Sequence, residues 1–305
     1  MPATSVSTAT ADAPARGIAY ALVGVLVFSI QDAMAKWLTA DYAVMEILFF
    51  RGLFALIPCA LVVSRTGGRA SLRTRRLGHH LGRAALLMGA LVCYYLAIRS
   101  MPLADAMAIS FSAPLFMTAL SVPLLGEHVG ARRWAAVVVG FVGVLIVARP
   151  GSGAFDAAAL LVVAASLFYA GAMIATRSLN RSESSGAIMF YFTLTSIVAS
   201  AGFVPFQWVT PTPADAALLA ALGLIGGFGA FFVVESFRHA PVAVIAPFDY
   251  SGLVWAALFG FVLWGDVPGP AVLTGAPVIV ASNLYIIRRE ARGSIAAPPP
   301  PPRSA

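Results

Sequence analysis

The sequence predicts an all-α integral membrane protein of ten transmembrane helices, built as two inverted five-helix repeats, and three observations carry that prediction. Of 305 residues, 60% are hydrophobic and only 11% charged, a balance suited to lipid and not to water. The apolar residues gather into ten runs, most of them near the 20 residues that one bilayer crossing takes. The chain also matches itself when displaced by 139 residues.

The first five runs are 17–38, 43–64, 81–98, 103–125 and 134–148, and the second five are 154–176, 186–207, 216–237, 242–264 and 270–287. Each must be helical, because a backbone N–H or C=O in hydrocarbon finds no partner outside its own segment. Prolines Pro58, Pro114, Pro123, Pro205 and Pro277 predict bends within several of them. The first repeat therefore covers 17–149 and the second 150–289. Residues 1–16, rich in Ser, Thr and Ala, and 290–305, with prolines from Pro298 to Pro302, are expected to be disordered cytoplasmic tails. The run from Gly17 is too long for a signal-peptide core and is expected to remain as a helix.

At the 139-residue displacement Arg99 meets Arg238, Pro102 meets Pro241, Ser112 meets Ser251, and Gly126-Glu127 meets Gly265-Asp266. Ala33-Met34 in the first run meets Ala172-Met173 in the sixth. Five crossings are an odd number, so the second half enters the membrane from the opposite side. Inverted halves of this kind can rock about a site between them.

With the first residue placed in the cytoplasm, only Lys36, Arg51, Arg99 and Arg149 of the 20 lysines and arginines fall toward the outer side. That bias puts both termini in the cytoplasm and the chain in an inner membrane. It also accounts for the net charge of +7 without nucleic acid, since the basic residues spread over one face and form no stripe with aromatic interleaving. Cys59 and Cys93 lie in apolar runs and give neither a disulfide framework nor a CxxC metal site. The four histidines sit near predicted helix ends, and no phosphate-cradling Gly-rich loop with Lys-Ser/Thr exists. No cofactor or metal is expected, and oligomeric state is not encoded in any motif.

Charges inside the runs are the candidates for a site, because an isolated charge at membrane depth costs about 3 kcal/mol or more. Asp32 and Lys36 share one helix, and Glu46 and Arg51 the next. Equal depth in an antiparallel hairpin sets Asp32 level with Arg51 and Lys36 level with Glu46. Two readings follow: a clamp that only joins helices, or a lining of the central cavity. Asp249 and Tyr250 follow Pro247, which bends the helix and frees a carbonyl, so a broken-helix site with a carboxylate suited to proton coupling is expected there. Tyr94, Tyr95, Tyr169, Tyr191, Trp255 and Asn283 are polar-tipped groups able to stack on or hydrogen-bond a planar ligand, or simply to join helices. The run Gly223 to Gly229 reads as close helix packing.

The segments Asp32-Ala33-Met34-Ala35-Lys36-Trp37, Phe49-Phe50-Arg51, Pro114-Leu115-Phe116 and Leu125-Gly126-Glu127, taken in order with the inverted repeat, resemble the EamA permeases of the drug/metabolite transporter superfamily. The resemblance spans about 17–289. It implies two EamA repeats, a central cavity, and secondary transport of a small molecule. Its Asp-x-x-x-Lys first helix implies uptake of riboflavin or a similar aromatic metabolite, with export of amino acids, a metallophore or toxic metabolites as the alternative. A membrane enzyme or scaffold on the same fold is the reading from another class. Asp266 stands where the family has Glu, and Ala175 occupies the second-half counterpart of Lys36, so a symmetric pair of charges is not expected.

Overall fold

The computed structural model describes residues 12–151, 155–180 and 182–295, and among these the regular structure is helical. Thirteen α-helices follow one another: α1 Asp12–Leu38, α2 Val44–Arg65, α3 Leu77–Ile98, α4 Leu103–Ser110, α5 Ala113–Leu125, α6 Ala131–Ala148, α7 Phe155–Leu179, α8 Ser185–Ala201, α9 Val204–Gln207, α10 Pro213–His239, α11 Val242–Asp249, α12 Ser251–Trp264 and α13 Pro270–Ile295. Nine spans among the described residues are long and apolar enough to cross a membrane, with α4–α5 and α11–α12 each counted as one. The seventh run, expected over 186–207, is shorter, because α8 has 17 residues and stops before Gly202; Pro205 then opens the separate turn α9. At about 1.5 Å per residue α8 is near the lower limit for a crossing.

Helices α1 and α13 reach Asp12 and Ile295, beyond the limits of 17 and 289 expected from apolarity alone. The rest of both expected tails, and Ser152, lie outside the described residues. The extra turns are polar and project from the apolar span, which a continuous helix can do at no cost in unpaired backbone.

Successive crossings alternate direction, so the chain has two faces. The first holds the start of α1 and the α2–α3, α5–α6, α7–α8 and α10–α11 connections; the second holds the others. The basic connections from Arg65 to Arg83, around Arg132 and at Arg177 all fall on the first face.

The repeat is exact to the residue where its register is tightest. Displacing α4 by 139 gives the bounds of α11, the end of α5 gives the end of α12, and the start of α6 gives the start of α13. Gly126 and Gly265 both sit in the left-handed region, φ 68° and 71°. Each closes its helix by the same pair of bonds: Gly126 N–H to Val122 O and Glu127 N–H to Ser121 O, against Gly265 N–H to Phe261 O and Asp266 N–H to Gly260 O. This is the glycine C-cap that satisfies the last carbonyls of a helix. Packing obeys the same exchange, since α1 lies along α10 while its counterpart α7 lies along α3. The self-related pairs α2–α8 and α6–α13 complete the bundle.

Large side chains such as Leu38, Ile47, Tyr95, Ile109 and Leu115 are fully buried at the helix contacts, whereas Leu160, Val198, Val254 and Leu273 are more than half exposed and face outward. Water cannot drive helices together in hydrocarbon, so close packing must. The glycine run of α10 supplies it. A Cβ on Gly223 would stand 2.7 Å from the Arg51 carbonyl, and one on Gly226 or Gly227 would overlap Gln31 or Pro58. Thus α10 packs closely, as the glycine run predicts, and its partners are α1 and α2.

Overpacking of this kind costs about 1–3 kcal/mol. Gly227→Val is expected to lower the resistance of the purified protein to unfolding in mixed micelles, whereas Gly78→Ala, which meets nothing within 4 Å, leaves it unchanged.

Candidate functional site

The fourth and ninth crossings are interrupted at equivalent places. Helix α4 ends at Ser110 and α5 resumes at Ala113; α11 ends at Asp249 and α12 begins after Tyr250. The ninth interruption was anticipated from Pro247, but the fourth was expected to be one continuous helix over 103–125. Proline alone does not place the two: Pro114 follows the first interruption and Pro247 precedes the second. What they share is a tightened i→i+3 bond, Ser112 N–H to Ile109 O and Leu253 N–H to Tyr250 O.

The interruptions face each other. The Phe111 and Tyr250 rings meet edge to face with centroids 4.8 Å apart. Asn283, fully buried on α13, donates from Nδ2 to the Phe111 carbonyl at 2.8 Å and reaches the Tyr250 phenol. The hydroxyls of Ser112 and Ser251, which are repeat counterparts, and Oδ1 of Asn283 are buried without a hydrogen-bond partner among the described residues. Buried polar atoms are nearly always satisfied, so three unpartnered ones near the two interruptions set this place apart from the rest of the bundle. Interrupted helices near mid-membrane are also where carriers hold substrate.

On the second-face side of this centre, Asp32 accepts a hydrogen bond from Tyr94 Oη at 3.2 Å. Arg51 faces Tyr95, and its charge acts on both Tyr95 and Asp32. No direct ion pair joins Asp32 to Arg51 among the described residues, and Arg51 Nε is buried without a partner. Equal depth does not fix azimuth, and the tyrosines of α3 stand in the ion pair's place. On the first-face side, Asp249 and Tyr169 are exposed, and Tyr169 lies within electrostatic reach of both Asp249 and Arg83. Arg83 is a residue that sequence reasoning missed. It was counted with the basic loop, yet it is 9% exposed, with Nε 2.5 Å from Thr176 Oγ1. Its place within the third apolar run was the available signal.

Lys36 does not pair with Glu46. Its ammonium reaches Asp266 Oδ2 of the other repeat at 3.2 Å and the Met101 carbonyl at 3.0 Å, and lies over the Trp264 ring at 4.8 Å. Glu46, fully buried, instead accepts from the Val209 N–H through Oε2, holding the α9–α10 connection to α2. Tyr191 is likewise outside the centre, donating to the Leu72 carbonyl and lying tilted against the His80 ring at the first face. Trp255 stacks on Phe259 one turn along α12.

Ala175 does stand at the second-half counterpart of Lys36, but a nearby residue makes the corresponding contact. Arg177, two residues beyond Ala175, bonds Glu127 at 2.9 Å on the first face. Glu127 is the repeat counterpart of Asp266, so each face carries one ion pair between the end of a leading helix and a Gly-acid cap of the same series. The second-face pair is the more buried, with side chains 10% and 28% exposed against 64% and 40%.

Removing a partner from the sheltered pair strands a charge that has lost its hydrogen bonds, at roughly 1–3 kcal/mol, while an exposed pair is worth under about 1 kcal/mol. Lys36→Met is therefore expected to destabilise the protein in mixed-micelle unfolding clearly more than Arg177→Met. Equal losses would show that burial does not distinguish the pairs.

Residues 15–149 and 156–288 each match the EamA-like transporter family. Over 274 residues the chain is 30% identical to the S-adenosylmethionine uptake transporter of Rickettsia prowazekii, covering 90% of this chain and 93% of that protein. It is 29% identical to the pseudopaline exporter CntI of Pseudomonas aeruginosa, with 89% and 96% covered, and 29% identical to the riboflavin transporter of Rhizobium johnstonii, with 93% and 96% covered. A solved crystal structure of 18% identity superposes with a TM-score of 0.63 over 93% of this chain and 99% of its own, a likeness of fold alone. With a matching repeat in each half and relatives named as transporters along nearly its whole length, the chain belongs to the EamA-like transporter family.

Proposed function

We propose that this chain is a secondary active carrier of a small ring-bearing metabolite, working by alternating access in the inner membrane with both termini in the cytoplasm. The observation that carries this reading is the facing pair of interrupted helices, with Ser112, Ser251 and Asn283 each keeping a buried polar atom unpartnered. Rocking of one inverted half against the other would expose that point to each face in turn. Tyr94, Tyr95, Tyr250 and Trp255 supply aromatic surface for a planar ligand, and Asp32, Arg51, Asp249 and Arg83 supply charge above and below it. Uptake of riboflavin or a similar aromatic metabolite is the preferred substrate reading, supported by relatives named for riboflavin and for S-adenosylmethionine uptake. Export of a metallophore is the second reading, supported by the pseudopaline exporter at comparable identity. Asp249, an accessible carboxylate beside the ninth-helix interruption, is the group proposed to couple transport to protons. The substrate crosses without chemical conversion, so no catalytic residue is assigned.

Purified protein in liposomes is expected to accumulate labelled riboflavin or S-adenosylmethionine unaltered, and Asp32→Asn or Asp249→Asn to reduce initial uptake at least tenfold. Undiminished transport with both carboxylates neutralised would overturn the assignment. For orientation, thiol-reactive reporters placed at Arg69 and Arg132 are expected to label only from the cytoplasmic side and one at Val209 only from outside; the reverse pattern would invert the topology.

A further inference from the structure

Positive charge is concentrated in the connection from α2 to α3, where Arg65, Arg69, Arg73, Arg75 and Arg76 follow one another closely and no Asp or Glu stands between Glu46 and Asp105. We infer that the outward side of this connection, formed by Arg69, Arg73 and Arg75 with Arg65 at the end of α2, is a docking surface for the phosphate headgroup of an anionic phospholipid in the first-face leaflet. The inference goes beyond the carrier reading and does not depend on it.

The backbone sorts the connection into two sides. After the 3₁₀ turn Gly68–Leu72 the chain is extended at Arg73, φ −70° and ψ 119°, and in extended backbone successive side chains point opposite ways. Leu72, Thr74 and Arg76 are half-buried and held against the other repeat. The Leu72 carbonyl accepts from Tyr191 at 2.9 Å, Thr74 donates to Glu183 at 3.0 Å, and Arg76 donates to the Ser182 hydroxyl at 3.1 Å. Between them Arg73 and Arg75 are exposed, as are Arg69 in the turn and Arg65. None of these four makes a hydrogen bond or ion pair among the described residues. Glu183, the carboxylate that the connection does touch, lies on the inward side, 3.3 Å from His80. Four positive charges are thus pinned outward by neighbours that cannot turn, and their mutual repulsion is relieved by an anion from outside.

The position of the patch identifies the anion. Arg65 is the last residue of α2 and Leu77 the first of α3, so both ends of the connection sit at the membrane boundary. Just inside it Leu61, Leu77 and Leu81 are exposed, and an added Cβ at Gly78 or Gly82 would meet nothing within 4 Å. A phospholipid has the same vertical order, with phosphate at headgroup level and an apolar chain below. Arginine grips phosphate through two parallel bonds, and each basic residue beside an anionic leaflet adds about fivefold in affinity. Scattered arginines suffice to orient a chain, as the pairs Arg132-Arg133 and Arg288-Arg289 do. An array clamped from behind does more: its inward side joins the two repeats, so a lipid held on its outward side steadies that contact.

The test is lipid competition on the full-length protein in uncharged detergent, read by native mass spectrometry for bound lipid and by thermal unfolding. Phosphatidylglycerol is expected to be retained at least about tenfold over phosphatidylcholine and to raise the unfolding temperature. Raising the salt about tenfold should cut that advantage severalfold. The combined variant Arg69→Gln, Arg73→Gln and Arg75→Gln should retain the two lipids almost equally. A control with Arg132→Gln, Arg288→Gln and Arg289→Gln removes the same charge from the same face and should keep the preference. Equal losses in the two variants would show that net charge and not this connection selects the lipid, and would overturn the docking surface. Equal retention of both lipids by the unaltered protein would do the same without any variant having to fold. Inorganic phosphate is expected neither to displace phosphatidylglycerol nor to raise the unfolding temperature; if it does both, the patch serves a free anion and the lipid assignment falls. No readout involves transport, so failure of the carrier reading leaves these results unchanged.

Discussion

In hydrocarbon a backbone amide has no solvent to turn to, and the whole architecture follows from that one constraint. It forces every crossing to be helical, and it makes any interruption of a crossing costly unless other protein groups satisfy the freed atoms. The two interruptions, at Phe111–Ser112 and at Tyr250, are tolerated because they face each other inside the bundle and because Asn283 supplies a donor to the Phe111 carbonyl. Neither could be held on a lipid-facing helix. The place where the fold relaxes its own rule is the place where unpartnered hydroxyls collect.

Symmetry and its breaking divide the labour. The repeat fixes helix bounds, the two glycine caps and the ion pair at each face, all of which belong to the scaffold and its ends. Chemistry at the centre is asymmetric: Asp32 has Gly171 as its repeat counterpart, Asp249 has Ser110, and Asn283 has Val144. A scaffold with two equivalent halves can present either face, but a ligand with distinct ends needs distinct groups along its path. Conserving geometry while varying side chains meets both needs.

The ends of the bundle show how local polar contacts keep the halves in register. At the first face Glu183 bonds Thr74 and lies 3.3 Å from His80, while Ser184 and Tyr191 bond carbonyls of the 3₁₀ turn Gly68–Leu72. The second face answers with Tyr42 bonded to Asp215 and Glu46 bonded to the Val209 N–H. In each case the connection after one repeat's first helix grips the connection after the other repeat's second. These contacts lie at the membrane boundary, where polar groups can be both hydrated and paired.

The fold was legible because its signals are one-dimensional. Run length gives crossings, charge spacing gives the two faces, and a 139-residue displacement gives the inverted repeat; even the close packing of α10 follows from its glycine run. Candidate residues were legible in kind, since a charge or phenol in an apolar run is costly wherever it points. Their partners were not. Depth along a helix can be counted from sequence, but rotation about the axis depends on which neighbours pack against each side. That rotation turned Lys36 to Asp266, 230 residues away, turned Glu46 to the Val209 backbone, and left Arg83 buried where loop charge was expected. Sequence by itself determined that the chain is a multi-pass helical membrane protein built from two repeats, because the bilayer imposes length and apolarity on each segment separately. Only the tertiary structure decided which polar groups meet, because that depends on contacts between segments that carry no mark of one another.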